Sequence, residues 1–183
     1  MRLIGLSMVA AESGGRKKQK RKPKRAGGGI GSMGKATAIL FAREGAKVLL
    51  VDMFPERMQE TLDMIKSEGG EASVFAGDVT KIADCQAMVA AAVKRYGKLD
   101  ILHNNVGIDA TGTVVSMELE AWDHVMDVNL RSVVLMSRCA IPQMIAGGGG
   151  AITNVSSVAA LRPRDMDAYS TSKGAVIALT QAM

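Results

Sequence analysis

The chain has 183 residues, enough for one domain with a sizeable hydrophobic core. Its residues are 48% hydrophobic but only 3% aromatic, with 20 glycines and 13 methionines, a balance that suits an aliphatic α/β core, and the absence of any run of 18 apolar residues argues against a transmembrane helix. The net charge of +5 is misleading, because residues 16–25 hold eight of the 23 basic residues and the rest of the chain carries 15 basic against 18 acidic residues.

The basic tract at residues 16–25 contains no aromatic side chains that could stack on nucleic-acid bases. Such a tract can bind nucleic acid or serve as an import signal, and both alternatives stay open. We expect residues 1–26 to form a disordered basic segment outside the folded domain, because like charges repel one another and bury nothing.

A glycine-rich turn, Gly27-Gly-Gly-Ile-Gly-Ser-Met-Gly34, leads directly into a predicted helix over residues 35–44. A turn of this kind at a helix N-terminus can cradle a phosphate, because the backbone approaches closely and the free N–H groups attract the anion. A strand normally precedes such a turn, but here the basic tract does.

The rest of the chain alternates predicted strands and helices, which is typical of a parallel sheet covered on both faces. The predicted strands are 46–52, 72–76, 99–103 and 151–156, and the predicted helices are 54–68, 82–96, 118–146 (with a kink near Pro142) and one opening at Ala168. Cys85 and Cys139 fall in apolar helical stretches without metal-ligand spacing, which predicts core thiols, no metal site and a reducing, cytoplasmic compartment.

Two polar positions indicate a nucleotide cofactor and an acid–base site. Asp52 ends a strand 18 residues after Gly34, where a carboxylate can bind an adenosine ribose and repel a 2′-phosphate, so NAD is favoured over NADP. Tyr169 and Lys173 lie one helical turn apart, and an ammonium there stabilises a phenolate and lowers the tyrosine pKa. A hydroxyl from Ser156 or Ser157 could hold a substrate oxygen against the phenol.

In order and spacing these features resemble the short-chain dehydrogenase/reductase family over about residues 27–183. The resemblance rests on the glycine turn, Asp52, Asp78-Val79, Asn104-Asn-Val-Gly107, Asn129, Asn154-Val-Ser-Ser157 and Tyr169-Ser-Thr-Ser-Lys173. It implies a doubly wound, Rossmann-like parallel sheet that binds a nicotinamide cofactor, and an NAD-dependent oxidoreductase acting on a small-molecule alcohol or carbonyl substrate. We expect no membrane partner, and a nucleic-acid-associated protein acting through residues 16–25 stays open as the less favoured alternative. Full-length members of the family are usually homo-oligomers.

The resemblance also assigns roles to individual residues. Tyr169 would exchange a proton with the substrate oxygen, Lys173 would lower its pKa and hold the nicotinamide ribose, and Ser157 would orient the substrate, with Ser156 as the alternative. Asn129 would hold a water in the proton relay. The remaining cofactor-binding residues would be Gly28, Ser32, Met33, Gly34, Asp52, Asp78, Val79, Asn105 and Gly107.

Three departures from the family pattern stand out. Ser32 falls where the middle glycine of the turn is usual, and Gly27 falls where a threonine is usual. The first strand is missing or displaced, since residues 3–10 could supply it only by looping out residues 11–25. The chain stops inside the helix opened at Ala168, before the last strands of the family. We therefore expect an incomplete domain, and a non-catalytic fragment of such an enzyme stays open as an alternative.

Overall fold

The structure is a computed structural model that describes residues 4–8, 33–163 and 165–183. Its five strands are β1 (Ile4–Met8), β2 (Lys47–Asp52), β3 (Ala72–Ala76), β4 (Ile101–Asn104) and β5 (Ala151–Asn154). Its six α-helices are α1 (Met33–Arg43), α2 (Pro55–Ser67), α3 (Ile82–Tyr96), α4 (Leu119–Met126), α5 (Ser132–Ala146) and α6 (Asp167–Ala182). Helices and strands alternate as predicted, and most boundaries fall within two residues of the expected ones.

The five strands form one parallel sheet in the order β3-β2-β1-β4-β5. The chain builds outward from β1 through β2 to β3, then crosses to the other side of β1 and continues through β4 to β5. The reversal between β1 and β4 is the topological switch point at which doubly wound folds bind ligands. β2 is buried along nearly its whole length, as expected for a strand covered on both faces.

The centre of the sheet is occupied by β1. This strand pairs in parallel with β2 along Ile4–Met8 and with β4 at Ser7. The position predicted to be missing or displaced is therefore filled by a strand that precedes the basic tract. The sequence analysis counted residues 1–26 as a disordered segment but also named residues 3–10 as the stretch that could supply the first strand, and the structure pairs Ile4–Met8 inside the sheet. The basic tract itself lies outside the described residues.

Two hydrophobic clusters cover the two faces of the sheet. One joins α1 and α2 to β2, with Ala38, Leu50 and Ile65 among its buried members. The other joins α3 and α5 to the strands and includes Met88 and Met136. Both clusters are mainly aliphatic, as the composition predicted. Among the helices of the described part, none has the length and apolar character needed to cross a membrane.

The helix predicted over residues 118–146 is divided by a π-helical segment at Asp127–Arg131. This segment separates α4 from α5 and carries Asn129. Pro142, where the sequence suggested a kink, lies inside the continuous helix α5. The departure from regular α-helix therefore occurs at Asn129, and single-turn π-segments of this kind frequently coincide with functional sites.

Candidate active site at the carboxyl edge of the sheet

The predicted site residues converge at the carboxyl edge of the sheet because all five strands run in parallel. Asp52 ends β2, Asn104 ends β4, and Ser156 and Ser157 follow β5 by a few residues. A side-chain hydrogen bond of 2.8 Å from Asn104 Nδ2 to Asn154 Oδ1 joins the ends of β4 and β5. The edge that would hold a ligand is thus fixed by polar contacts between neighbouring strands.

Tyr169 and Lys173 lie one turn apart on α6, as their spacing predicted. Lys173 Nζ lies 5.8 Å from the centroid of the Tyr169 ring and donates a 2.9 Å hydrogen bond to the carbonyl oxygen of Val155. The lysine is only 3% exposed, and burial lowers its pKa to about 8. A cation that has lost its hydration shell is held beside the tyrosine ring, where it would favour any negative charge that develops.

The two serines after β5 make different contacts. The Ser156 hydroxyl donates a 2.7 Å hydrogen bond to the carbonyl oxygen of Lys173, which ties the strand end to α6. Ser157 Oγ accepts a 3.1 Å hydrogen bond from the N–H of Ala159, at the start of a short 3₁₀ turn over Val158–Ala160. Among the described residues no acceptor takes the hydroxyl proton of Ser157, whereas Ser156 donates its own to the protein. These contacts favour Ser157 of the two serines for contact with a substrate oxygen.

Asn129 is fully buried and connects three parts of the site. Its Oδ1 accepts a 2.8 Å hydrogen bond from the N–H of Ile108, and its Nδ2 donates to the carbonyl oxygen of Ile108 at 2.8 Å and to Ser172 Oγ at 3.0 Å. The Ser172 hydroxyl donates in turn to the carbonyl oxygen of Tyr169 at 2.7 Å. The side chain of Asn129 therefore fixes the turn after β4 against α6, and both of its amide protons are used within the protein. Its role toward a water stays a prediction.

The turn after β4 passes very close to Lys173. A Cβ atom added at Gly107 would lie 3.1 Å from Lys173 Nζ, closer than most real contacts of a Cβ atom, and 3.5 Å from Asn129 Oδ1, an ordinary van der Waals distance. A side chain at this position would therefore require the ammonium group to shift by a few tenths of an ångström. Asn105, two residues earlier, is 9% exposed. The predicted turn residues thus lie beside the Tyr169–Lys173 pair.

Asp52 is buried at the end of β2, with 2% of its surface exposed. Its Oδ1 accepts a 2.9 Å hydrogen bond from the N–H of Phe54, while its Oδ2 has no hydrogen-bond partner among the described residues. Burial raises the pKa of this carboxyl to about 6, although the N–H of Phe54 and the charge of Arg57 act in the opposite direction. A buried carboxylate oxygen without a partner fits a hydroxyl group supplied by a ligand, such as that of a ribose.

Asp78 and Val79 shape the loop that follows β3. Asp78 Oδ1 accepts hydrogen bonds from the N–H of Thr80 at 2.9 Å and from its hydroxyl at 2.7 Å, and the N–H of Asp78 donates to Asp84 Oδ2 at 2.8 Å. Val79 is buried. These contacts fix the loop backbone. Contact of either residue with a cofactor stays a prediction.

The predicted phosphate-binding turn is only partly within the described residues. Gly28 and Ser32 lie outside them. Met33 begins α1 and is half exposed, while Gly34 is buried in the first turn of this helix. The described part of the turn thus places the N-terminus of α1 next to the sheet, as the sequence predicted.

The structure brings in three residues that the sequence analysis did not single out. Ser172 links Asn129 to α6, Arg57 acts on the charge of Asp52, and Asp167 contacts a distant loop. Ser172 lies inside the Tyr169–Lys173 motif, so its buried position could have been inferred from the helical spacing. Neither of the other two contacts has a signal in the sequence. Among the residues that the structure describes, no group of acidic, histidine or cysteine side chains is arranged to hold a metal ion.

Comparison of the sequence with those of known proteins identifies relatives of this chain. The sequence pattern of the short chain dehydrogenase family matches residues 26–183. An uncharacterized oxidoreductase of Thermotoga maritima is 44% identical over 160 residues, covering 86% of this chain and 61% of that protein. The 2-(S)-hydroxypropyl-CoM dehydrogenase 3 of Xanthobacter autotrophicus is 39% identical over 158 residues, covering 86% of this chain and 62% of that protein.

Two solved structures of dehydrogenases or reductases have a similar fold. An NAD+-bound xylitol dehydrogenase superposes with a TM-score of 0.83 at 31% identity, covering 98% of this chain and 63% of that one. An actinorhodin polyketide ketoreductase with NADPH superposes with a TM-score of 0.83 at 27% identity, covering 99% and 63%. The chain thus spans about three fifths of the length of these relatives. The matched pattern and the shared fold together show that the chain belongs to the short-chain dehydrogenase family.

Proposed function

We propose that the protein is an NAD-dependent oxidoreductase that transfers a hydride between the nicotinamide and an alcohol or ketone, with Tyr169 as the general acid or base. The observation that carries the proposal is the buried ammonium of Lys173, which lies beside the Tyr169 ring and within 3.1 Å of where a Gly107 side chain would begin. An acid–base group, a cation and a close backbone turn therefore share one edge of the sheet.

The residues present fit a nicotinamide dinucleotide. Asp52 offers a buried carboxylate oxygen that lacks a hydrogen-bond partner among the described residues, which suits an adenosine ribose. The N-terminus of α1 suits the pyrophosphate, and Lys173 suits the nicotinamide ribose. When bound, this cofactor would supply or accept the hydride.

The protein residues would handle the proton and the orientation of the substrate. Tyr169 would donate a proton to the carbonyl oxygen in the reductive direction and accept it back in the oxidative direction. Ser157 would hold that oxygen through its available hydroxyl proton. Lys173 would stabilise the phenolate form of Tyr169, and Asn129 would keep α6 in register with the turn after β4.

The preference for NAD rests on Asp52, since its carboxylate would repel a 2′-phosphate. Arg57, whose charge acts on Asp52 and whose guanidinium lies 4.2 Å from the centroid of the Phe54 ring, is the nearby cation that could instead favour NADP. One of the similar structures contains NAD+ and the other NADPH, so cofactor choice is a property of each chain.

The test is a fluorescence titration of the purified chain with NADH and NADPH, followed by an assay of ketone reduction. We expect tighter binding of NADH and its oxidation in the presence of a simple ketone such as cyclohexanone. Tighter binding of NADPH would overturn the cofactor assignment. Binding of NADH without oxidation, over a panel of ketones and alcohols, would favour the alternative of a non-catalytic fragment.

A further inference from the structure

The loop over residues 113–117, which follows β4, has an exposed apolar tip. Thr113 closes the loop on itself: its N–H donates to Ser116 Oγ at 3.0 Å, and its carbonyl oxygen accepts from the N–H of Ser116 at 3.1 Å. Val114 and Val115 at the tip are 81% and 96% exposed. A loop with a defined turn thus presents two valines to solvent on the side of the sheet edge that carries the candidate site.

This loop is tied to the segment that leads into the helix of Tyr169. Asp167 Oδ2 accepts a 2.8 Å hydrogen bond from the N–H of Val114. The N–H of Asp167 donates to the carbonyl oxygen of Gly112 at 3.2 Å, and the N–H of Gly112 donates to that of Asp165 at 3.1 Å. Three hydrogen bonds therefore connect two segments that are far apart in sequence, and one residue, Asp167, takes part in two of them.

The junction is held in an unusual backbone conformation. Asp165 has a φ of +45° and Gly112 a φ of +136°, both in the region that favours glycine. A Cβ atom at Gly112 would also lie 3.3 Å from the Cβ of Met117. Such a conformation persists only where the surrounding contacts impose it, and the two hydrogen bonds of Asp167 are among those contacts.

The position of Asp167 suits a carboxylate that works through its charge. It is the first residue of α6, where the helix dipole favours a negative charge, and a hydrogen bond from an N–H to a carboxylate is stronger than one to a neutral acceptor. It lies two residues before Tyr169. Any displacement of the loop relative to the tyrosine would have to break this contact first.

A second exposed apolar segment, which follows β5, also packs against α6. The 3₁₀ turn that follows Ser157 carries Val158, which is 72% exposed, and is followed by Leu161, which is 76% exposed. Val158 and Leu161, like Val114 and Val115, are thus exposed aliphatic side chains on segments next to α6, the helix of Tyr169.

We propose that Asp167 is a positioning residue that holds the 113–117 loop against the start of α6, so that Val114 and Val115 form an apolar wall of the substrate site beside Tyr169. The substrate class that fits this wall is a ketone or alcohol bearing an alkyl or alicyclic group. The inference rests on the proposed function, because the wall has a role in catalysis only if Tyr169 acts on a bound substrate.

The test compares Asp167→Ala, Asp167→Asn and the control Asp123→Ala in the full chain. Asp123 is an exposed acid on α4, so its loss removes the same charge without touching the loop. In Asp167→Ala we expect amide hydrogen exchange at Val114 to accelerate at least about tenfold. We expect the KM for cyclohexanone to rise at least about tenfold, with a smaller change in kcat and unchanged NADH affinity. Asp167→Asn keeps an oxygen that can accept the Val114 N–H but loses the charge, so it should recover only part of both effects.

Unchanged exchange at Val114 in Asp167→Ala would overturn the positioning role, whether or not the protein is active. Faster exchange with an unchanged KM would overturn the role of the loop as a substrate wall. If the wild type binds NADH but reduces no ketone, the proposed function is wrong and the substrate wall falls with it. Equal effects in Asp123→Ala would show that the loss of charge alone is responsible, which also refutes the proposal.

Discussion

Two sets of side chains in the candidate site differ in how their polar groups are bonded within the described residues. In the half formed by β4, β5 and α6, the side chains of Asn129, Ser156, Ser172 and Lys173 all hydrogen-bond to protein atoms. In the half formed by β2 and α2, the buried carboxylate of Asp52 keeps one oxygen without a partner. These four side chains are therefore held in place by the protein, although the ring nitrogens of His103 on β4 and the hydroxyl of Ser170 on α6 are buried in the same half without a partner among the described residues. In the half assigned to the cofactor, Asp52 carries an oxygen that a ligand would satisfy.

The largest effect that this comparison predicts is on turnover. Tyr169→Phe removes the proton donor while leaving the Lys173–Val155 and Ser172 contacts in place, since both involve other atoms. We expect turnover to fall by a factor of about 10² to 10⁴, with NADH affinity and thermal stability nearly unchanged. Steady-state kinetics and a thermal melt of the same preparation check this. Wild-type turnover in Tyr169→Phe would exclude Tyr169 as the acid–base group.

In the half formed by β4, β5 and α6, we expect loss of the Asn129 amide to lower the stability of the protein strongly. Asn129→Ala leaves both the N–H and the carbonyl of Ile108 without their partner in a buried environment. We expect the free energy of unfolding to fall by about 2–4 kcal/mol, from the cost of unpaired buried polar groups. Denaturant unfolding measures it. The matched control is Gln59→Ala, which removes an exposed amide contact to Asp63 and should change stability by less than about 0.5 kcal/mol. Equal losses in both variants would contradict the account.

In the cofactor half, loss of the charged Asp52 side chain should raise the free energy of unfolding rather than lower it. A carboxyl whose pKa is raised on folding binds its proton more readily in the folded state, so the protein loses stability as the pH rises from about 4 to about 6, and the loss is complete above that range. Asp52→Asn removes this cost. We expect it to stabilise the cofactor-free protein by about 1–2 kcal/mol at pH 8, with little gain at pH 4, and to weaken NADH binding.

Thermal melts at the two pH values test this expectation, with Asp123→Asn as a control for the loss of an exposed charge. A destabilised Asp52→Asn at pH 8 would mean that the carboxylate is already satisfied in the absence of cofactor. Stabilisation without any loss of NADH affinity would mean that Asp52 does not contact the cofactor.

The sequence predicted most of the fold because the buried strands and amphipathic helices carry their periodicity locally. It also predicted the positions of Tyr169, Lys173, Asn129 and Asp52. The role of β1 was less clear, because the chain between this strand and the phosphate turn is unusually basic. The place of β1 in the sheet is decided by its pairing with β2 and β4, which no local pattern records.

The details of the site depended on contacts between distant segments. The π-segment at Asn129 brings its amide to Ile108, 21 residues away, and Asp167 meets Val114 across 53 residues. Burial of Asp52, which sets its pKa, is likewise a property of the packed sheet. Sequence patterns predicted the candidate site, while tertiary packing determined which of its groups are hydrogen-bonded within the described residues.

The most direct measurement of the central claim is the transfer of deuterium to cyclohexanone, in a single turnover, from NADH that carries deuterium at both C4 positions of the nicotinamide ring. The account predicts that deuterium appears on the carbinol carbon of the product with the wild type and is strongly reduced with Tyr169→Phe, although both proteins bind NADH equally. Transfer that is equally fast in both proteins would contradict the role of Tyr169. NADH binding without any transfer in the wild type would contradict the assignment of this site to hydride transfer.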